Sequence, residues 1–420
     1  MTDARLRRDV IWNLVPVALL GGVGLGSNFA IFTWWGPESL AVFNLVTTAF
    51  FVLAVLGACG VQFSVLRALA EAPDDRERVA SVVVGALVPN IVLAAVMTGV
   101  FLALRGPFAR LHHSEAVAEG MLVAAPGLFC FSINKVLFNV VNGLRRMRAF
   151  AVYTSLRYAL IAAGVITARL LDVPGSRIAI VWTITECTML VVLGIEVIAT
   201  VSLARATRWR MWVRLHLDYG VRGVLSTLAY EINTKLDIWM LGASGIAKEL
   251  VGVYAIAGAL NEGATQLSVV MQNNLNPILA RELAAGNPEQ VVALARRTRR
   301  WFVPSFSAAC LAGAAAFPVL LPWLMHDAAL HADTLPFAIL MIGLAVASPY
   351  LPFAQILLMA NRPGAHTWLV VTMVTINFVV DLALIPAFGL VGAACGTAIA
   401  VASSALLVRV LGRKLVARDL

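Results

Sequence analysis

Apolar stretches of membrane-spanning length recur along the whole chain. An α-helix needs about 20 predominantly apolar residues to cross the hydrocarbon core of a bilayer. The pattern predicts about twelve such helices, near residues 10–33, 40–63, 80–104, 117–141, 150–170, 178–203, 218–242, 250–275, 300–324, 335–359, 366–388 and 390–411. The connections are too short to fold as domains in water. The chain is therefore predicted to be an all-α integral membrane protein.

The composition agrees with this pattern. The 420 residues are 60% hydrophobic and only 13% charged, with a mean hydropathy of +0.86. Such values are typical of a multi-pass membrane protein. The net charge of +9 resides mostly in arginines of alternate connections, such as 205–214 and 296–300. This positive-inside pattern predicts that both termini are cytoplasmic, and it explains the basic charge without a nucleic-acid partner.

The most polar predicted span is 218–242, which contains Arg222, Glu231, Lys235 and Asp237. Each charge costs about 2.5–3.5 kcal/mol at the centre of a membrane helix on insertion scales, so these side chains need protein or water around them. Glu231 and Lys235 are four residues apart and can neutralise each other. Two interpretations remain: a structural ion pair in a helix bundle, or a helix that lines a water-filled path. The second interpretation predicts a transport protein.

The chain also contains signs of an internal repeat. Arg67 and Arg281 occupy similar segments after the second and eighth predicted spans, 214 positions apart. Asn142 and Asn361 follow the fourth and tenth predicted spans, 219 positions apart. An even number of spans preserves direction, so the repeat predicts two parallel six-helix lobes with a substrate path between them. The predicted domains are an N-terminal lobe (1–206), an interfacial linker (207–217) and a C-terminal lobe (218–420).

Polar side chains inside the predicted spans form the candidate site, and both lobes contribute to it. The candidates for substrate binding in a central cavity are Lys135, Lys235, Asn28, Asn134, Arg157, Tyr230, Asn233 and Asn261. Acidic residues near mid-membrane in the second lobe are candidates for ion coupling, since a buried carboxyl group tends to take up a proton. They are Glu231, Asp237, Glu262 and Asp381.

Other motifs in the chain do not indicate catalysis or metal binding. The glycine-rich GGVGLG at 21–26 lies inside a predicted span, where small residues permit close helix contact and a nucleotide-binding loop has no place. The five cysteines are isolated in sequence, lack metal-ligand spacing and are interpreted as packing residues. The six histidines lie in or near connections, and no nucleophile–base pair is recognisable. We therefore predict no cofactor and no bound metal, and we do not expect an enzyme.

Near the C-terminus, IPAFGLVGAACGTAIA (385–400) resembles the polysaccharide transporters of the multidrug/oligosaccharidyl-lipid/polysaccharide (MOP) superfamily, in particular the Wzx-like O-antigen flippases. The segments 236–260 and 276–291 add to this resemblance, which covers nearly the whole chain in length and order. The resemblance implies a MATE-like fold of two lobes, alternating access and a lipid-linked oligosaccharide as cargo. It also implies a cationic cavity, for which Lys135 and Lys235 are the matching residues.

The expected function is a flippase that moves a polyprenyl-diphosphate-linked oligosaccharide to the outer leaflet of the bacterial cytoplasmic membrane. Lysines in a low-dielectric cavity attract a diphosphate strongly. The expected partners are this cargo, membrane lipids, H⁺ or Na⁺ as the coupling ion, and polysaccharide polymerase machinery. Two alternatives stay open: a cation-coupled multidrug exporter of the same superfamily, which the acidic residues favour, and a membrane-embedded polymerase or ligase, for which the sequence offers no catalytic constellation.

The arginine asymmetry generates a test of topology. Single cysteines introduced near Asp327 are expected to react with an impermeant thiol reagent added outside the cell, because 326–333 is predicted to face outward. Cysteines introduced near Arg299 are expected to react only after the membrane is permeabilised. Labelling in the reverse order would contradict the twelve-span topology.

Overall fold

The computed structural model describes residues 3–246, 248–325 and 334–415. The outward-facing segment predicted at 326–333 therefore lies outside the described residues. Within these ranges the chain consists of α-helices, short 3₁₀ turns and connections, without a β-strand. The all-α prediction is thus confirmed.

The chain divides into two compact units, Met1–Val224 and Leu225–Leu420. The first unit contains α1 (Asp3–Ala58), α2 (Val61–Glu71), α3 (Arg76–Leu111), α4 (Glu115–Gly143), α5 (Met147–Leu170), α6 (Ile180–Thr200) and the start of α7 (Trp209–Ala243). The second unit contains the rest of α7, then α8 (Lys248–Ala284), α9 (Pro288–Met325), α10 (Thr334–Ala347), α11 (Ile356–Met359), α12 (Pro363–Phe388) and α13 (Leu390–Leu415). Helix α7 begins inside the segment that the sequence assigns to a linker.

Two helices show how the predicted spans map onto the structure. The first two predicted spans are continuous in α1, which bends at Gly36, where φ is 86°. The tenth predicted span is broken into α10 and α11, which meet at an angle of 62° across the two prolines of SPYLPF. Among the described residues, eight helices, and up to nine when this bent pair counts as one span, are long and apolar enough to cross a membrane. Helices α7 and α8 are of similar length, but polar residues interrupt their apolar stretches.

Corresponding turns of the two units share an unusual backbone conformation. Arg145, before α5, and Asn361, before α12, have φ of 57° and 59°, and they lie 216 positions apart. Asp172, after α5, and Gly389, after α12, have φ of 46° and 57°, 217 positions apart. Residues with left-handed backbone conformation are uncommon. Two pairs of them with nearly the same separation in sequence are therefore not expected by chance. They support the internal repeat that the sequence predicts.

The start of α7 is fixed to the first unit by a buried histidine. The Ser64 hydroxyl and His216 Nδ1 lie 2.8 Å apart, and His216 Nε2 lies 3.2 Å from the Val82 carbonyl oxygen. Nε2 must therefore donate to Val82, and Ser64 donates to Nδ1. Burial lowers the pKa of His216 to about 4, which keeps this imidazole neutral. Both side chains of this serine–histidine pair are buried, so the pair connects α7 to α2 and α3.

Two of the five cysteines, although isolated in sequence, lie together in the structure. Cys130 on α4 and Cys187 on α6 have their sulfur atoms 3.3 Å apart. The two residues are 57 positions apart in the sequence, which therefore does not reveal this contact. The contact depends on how α4 packs against α6.

Helix α7 also passes very close to the turn between α1 and α2. A Cβ atom on Gly220 would lie 2.1 Å from the backbone oxygen of Cys59, so only glycine fits there. Gly242, on the same helix, has no atom within 4 Å of its would-be Cβ.

These two glycines give a matched test of the packing. Gly220→Ala is expected to destabilise the folded protein by about 1–3 kcal/mol, the usual cost of overpacking. Gly242→Ala is expected to be neutral or slightly stabilising, since alanine favours helix by up to about 1 kcal/mol. The measurement is the thermal unfolding midpoint of both variants in one detergent. Equal midpoints for the two variants would contradict the close contact at Gly220.

Candidate functional site

The second unit contains a half-buried carboxyl group, that of Asp237, at the meeting point of four helices. Asp237 on α7 accepts hydrogen bonds from the Tyr254 hydroxyl of α8 at 2.9 Å and from the Asn377 amide of α12 at 3.0 Å. The Thr397 hydroxyl of α13 donates to the same carboxylate. Charge-assisted bonds of this kind stabilise an ionised aspartate where water is scarce. The side chain of Asp237 therefore holds α7, α8, α12 and α13 together.

A second carboxyl group lies beside the first one. Asp381 is one turn after Asn377 on α12 and is fully buried. A Cβ atom on Gly396 of α13 would be 1.8 Å from Asp381 Oδ1, so the carboxyl group occupies space that only a glycine leaves open. No N–H or O–H group of the described residues donates to either Asp381 oxygen. Its polar neighbour is the carboxyl group of Asp237.

The pair has a clear electrostatic consequence. Two carboxylate oxygens are both acceptors, so Asp237 and Asp381 can hydrogen-bond to each other only when one of them carries a proton. Two ionised carboxylates side by side in a low-dielectric site repel strongly, and neighbouring carboxyl groups characteristically share one proton. A cation bound between them would relieve the same repulsion. The two groups can therefore stay in contact without repulsion only when one of them is protonated or a cation lies between them.

The remaining acidic candidates of the second unit lie apart from this pair. Glu231 on α7 and Glu262 on α8 are exposed, and both interact electrostatically with Tyr230, which is 45% exposed. Asn233 belongs with the buried pair, because its side-chain oxygen accepts from Asn377 at 3.3 Å. Asn261 is half-buried on α8. The side chain of Lys235 lies outside what the structure describes.

The first unit contains a different buried charge cluster. Glu186 on α6 is fully buried and accepts from Arg157 of α5 at 2.7 Å and from the Asn134 amide of α4 at 2.9 Å. The Arg157 guanidinium also lies 4.8 Å from the ring centroids of Phe131 and Phe138. Glu186 thus has a guanidinium and an amide as partners, and Arg157 has a carboxylate and two aromatic faces.

The other two candidates of the first unit lie near or away from this cluster. The ammonium group of Lys135 is 5.4 Å from the centroid of the Phe131 ring, the same ring that faces Arg157. The first unit thus brings Asn134, Arg157 and Lys135 around one aromatic side chain. Asn28, by contrast, donates its amide to the Gly24 carbonyl oxygen of its own helix at 2.9 Å.

Some residues of these clusters are absent from the predicted site. Glu186 and Asn377 belong to the polar residues in the middle of predicted spans from which the candidates are taken, because burying them is costly, but neither is assigned a role there. Tyr254 and Thr397 gave no such signal, because hydroxyl side chains are common in membrane helices. Gly396 could not have been recognised either, since its role depends on the position of Asp381 on a neighbouring helix.

Comparisons with known proteins now bear on this arrangement. No protein-family model and no curated protein matches the sequence. The structure is similar to the Vibrio cholerae MATE transporter VcmN in its bent form, with a TM-score of 0.82 at 13% identity over 99% of this chain and 97% of that one. It is also similar to a MOP superfamily transporter from Pyrococcus furiosus with reverse polarity of its binding pocket, with a TM-score of 0.81 at 17% identity over 97% and 95%.

A third similar structure is a multidrug resistance MATE family transporter of the MOP superfamily in an outward-facing conformation. Its TM-score is 0.77 at 16% identity, over 97% of this chain and 95% of that one. The chain has the fold of these MATE transporters. The predicted fold of about twelve membrane helices is therefore confirmed. At these identities the similarity concerns the fold, and the cargo has to be argued from the residues.

Proposed function

We propose that this chain is a transporter that couples cargo movement to the uptake of a proton or another cation by Asp237 and Asp381. The observation that carries the proposal is the pair of neighbouring carboxyl groups, of which Asp381 is buried and has no hydrogen-bond donor among the described residues. Intramembrane acidic residues characteristically mark ion or proton pathways. The MATE fold supports the same conclusion, since the structures that share it are those of transporters.

The hydrogen bonds of Asp237 suggest how uptake would act on the helices. When a proton neutralises the pair, the protonated Asp381 can donate a hydrogen bond to Asp237. Asp237 also accepts hydrogen bonds from residues of α8, α12 and α13. With both groups ionised, repulsion opposes the close contact between α12 and α7. Loss or gain of one positive charge therefore changes how strongly these helices hold together. A two-state change of packing in this unit is what alternating access requires.

For the cargo, we propose an anionic lipid-linked oligosaccharide that is moved from the cytoplasmic to the outer leaflet, where polymerase machinery would use it. In the first unit, the cationic groups of Lys135 and Arg157 both lie against the ring of Phe131. A diphosphate head group would find its counter-charge there. The Pyrococcus furiosus transporter supports this view, because the pocket polarity of that protein differs within the same fold.

A multidrug exporter is the second candidate. Glu231, Glu262 and the exposed Tyr230 form an acidic and aromatic group on α7 and α8. Such a group suits organic cations, which bind through charge attraction and aromatic faces. One multidrug resistance transporter shares the fold.

The coupling proposal predicts that Asp381→Asn and Asp237→Asn each abolish the response of transport to an imposed pH or sodium gradient. The reason is that either change removes the second carboxyl group that a cation would neutralise. Asp172→Asn is the matched control, because Asp172 is an exposed aspartate in a left-handed turn that asparagine tolerates well. The measurement is cargo movement in proteoliposomes with and without the gradient. An unchanged gradient response in both site variants would refute the proposal.

The cargo proposal predicts that Lys135→Gln lowers export of the lipid-linked glycan by about 10-fold or more, since a charge-assisted hydrogen bond contributes about 1.5–3 kcal/mol. Lys414→Gln, at the exposed end of α13, is the control. The measurement is glycan accumulation on the inner leaflet, with the protein level in the membrane determined alongside. Normal glycan export by Lys135→Gln, together with drug sensitivity in Glu231→Gln and Glu262→Gln, would instead identify the multidrug exporter.

A further inference from the structure

The two sulfur atoms that meet between α4 and α6 belong to none of the sites described above. Cys130 is buried and Cys187 is half-buried, and their sulfur atoms are 3.3 Å apart. We infer that this pair is an oxidisable dithiol in the membrane part of the first unit, and that a lipid-soluble peroxide converts it to a disulfide that fastens α4 to α6.

The packing of α4 and α6 keeps the two thiols together. On one side of them, a Cβ atom on Gly127 would be 2.8 Å from backbone atoms of Thr183, and the Gly127 amide donates to the Thr183 hydroxyl at 3.1 Å. On the other side, the Asn134 amide donates to the backbone oxygen of Glu186 at 2.9 Å. The sulfur atoms need to approach by only about 1.3 Å to reach the length of a disulfide bond.

The surroundings of Cys187 determine which oxidants reach it. Ile184, Val191 and Ile195 on α6 are 50%, 62% and 64% exposed, and they follow one face of the helix. Cys187 lies one turn from Ile184 and one turn from Val191, at the border of this apolar face. In a membrane helix such a face contacts lipid. A hydroperoxide dissolved in the acyl chains therefore has direct access to the thiol, whereas a charged oxidant in water does not.

The reaction balances with one molecule of hydroperoxide. One thiol attacks the peroxide oxygen, which breaks the O–O bond, releases an alcohol and leaves a sulfenic acid on that cysteine. The second thiol displaces the hydroxyl group as water and forms the S–S bond. Two thiols are oxidised and the peroxide bond is reduced, and a dithiol reductant reverses the change.

A disulfide at this position would restrain the charged cluster of the first unit. Cys187 directly follows Glu186, and Cys130 is one turn before Asn134, which donates to Glu186. Relative movement of α4 and α6 would then be blocked next to the cluster. The effect on transport rests on the proposed function, but disulfide formation does not.

The test counts thiols in the purified full-length protein in lipid nanodiscs. The protein is treated with cumene hydroperoxide, denatured and alkylated with N-ethylmaleimide, and its intact mass gives the number of free thiols. We expect the count to fall from five to three in the wild type, with a Cys130–Cys187 peptide found by mass spectrometry and the count restored by reductant. Oxidised glutathione, which stays in water, is expected to react far more slowly.

Three variants provide the controls. Cys130→Ser and Cys187→Ser each contain four thiols before treatment, and all four are expected to remain free after treatment. Cys310→Ser, which removes a buried cysteine elsewhere, is expected to lose two thiols as the wild type does. Pair loss in Cys130→Ser, or five alkylated thiols in the treated wild type, would overturn the inference. With the disulfide formed, unchanged export would refute only its effect on transport, and absence of export from the reduced protein would refute only the proposed function.

Discussion

Charge buried in an apolar membrane environment is the constraint on which the rest of this structure depends. An ionised group there is tolerated only with partners that neutralise it or donate hydrogen bonds to it. Asp237 has donors from three other helices, and Glu186 has a guanidinium and an amide from two. In each unit, one buried acid thus fixes the positions of the helices around it. The helices are held by polar contacts that lipid cannot replace.

The two clusters differ in what they leave unsatisfied. Glu186 has a cationic partner, and the Arg157 that supplies it also faces two aromatic rings. The charge of Glu186 is thus balanced by a residue of the same unit. Asp381 has a second acid as its neighbour and no hydrogen-bond donor among the described residues. The same constraint therefore gives a pair of opposite charges in one unit and a pair of acids in the other.

The internal repeat separates fold from chemistry. Matching left-handed residues at Arg145 and Asn361 show that the same turn is used in both units, although the residue types differ. The buried acids do not correspond in this way, because Glu186 is on α6 and Asp237 is on α7. The two halves thus share backbone geometry at these turns but carry different charged groups in their helices. Such a division allows one half to bind the cargo head group and the other to bind the coupling ion.

The sequence by itself determined the all-α membrane fold, the number of helices and the polar character of α7, because hydropathy acts locally and its period can be read directly along the chain. It also determined which helices contain charges that need partners. Only the tertiary structure decided which partners those are: Asp381 with Asp237, Glu186 with Arg157, and Cys130 with Cys187. These pairs join residues from different helices, and their contact depends on the rotation and depth of each helix in the bundle. The rotation and depth of a helix are set by close approaches such as that of Asp381 to Gly396. The hydropathy of the sequence contains no information about such contacts.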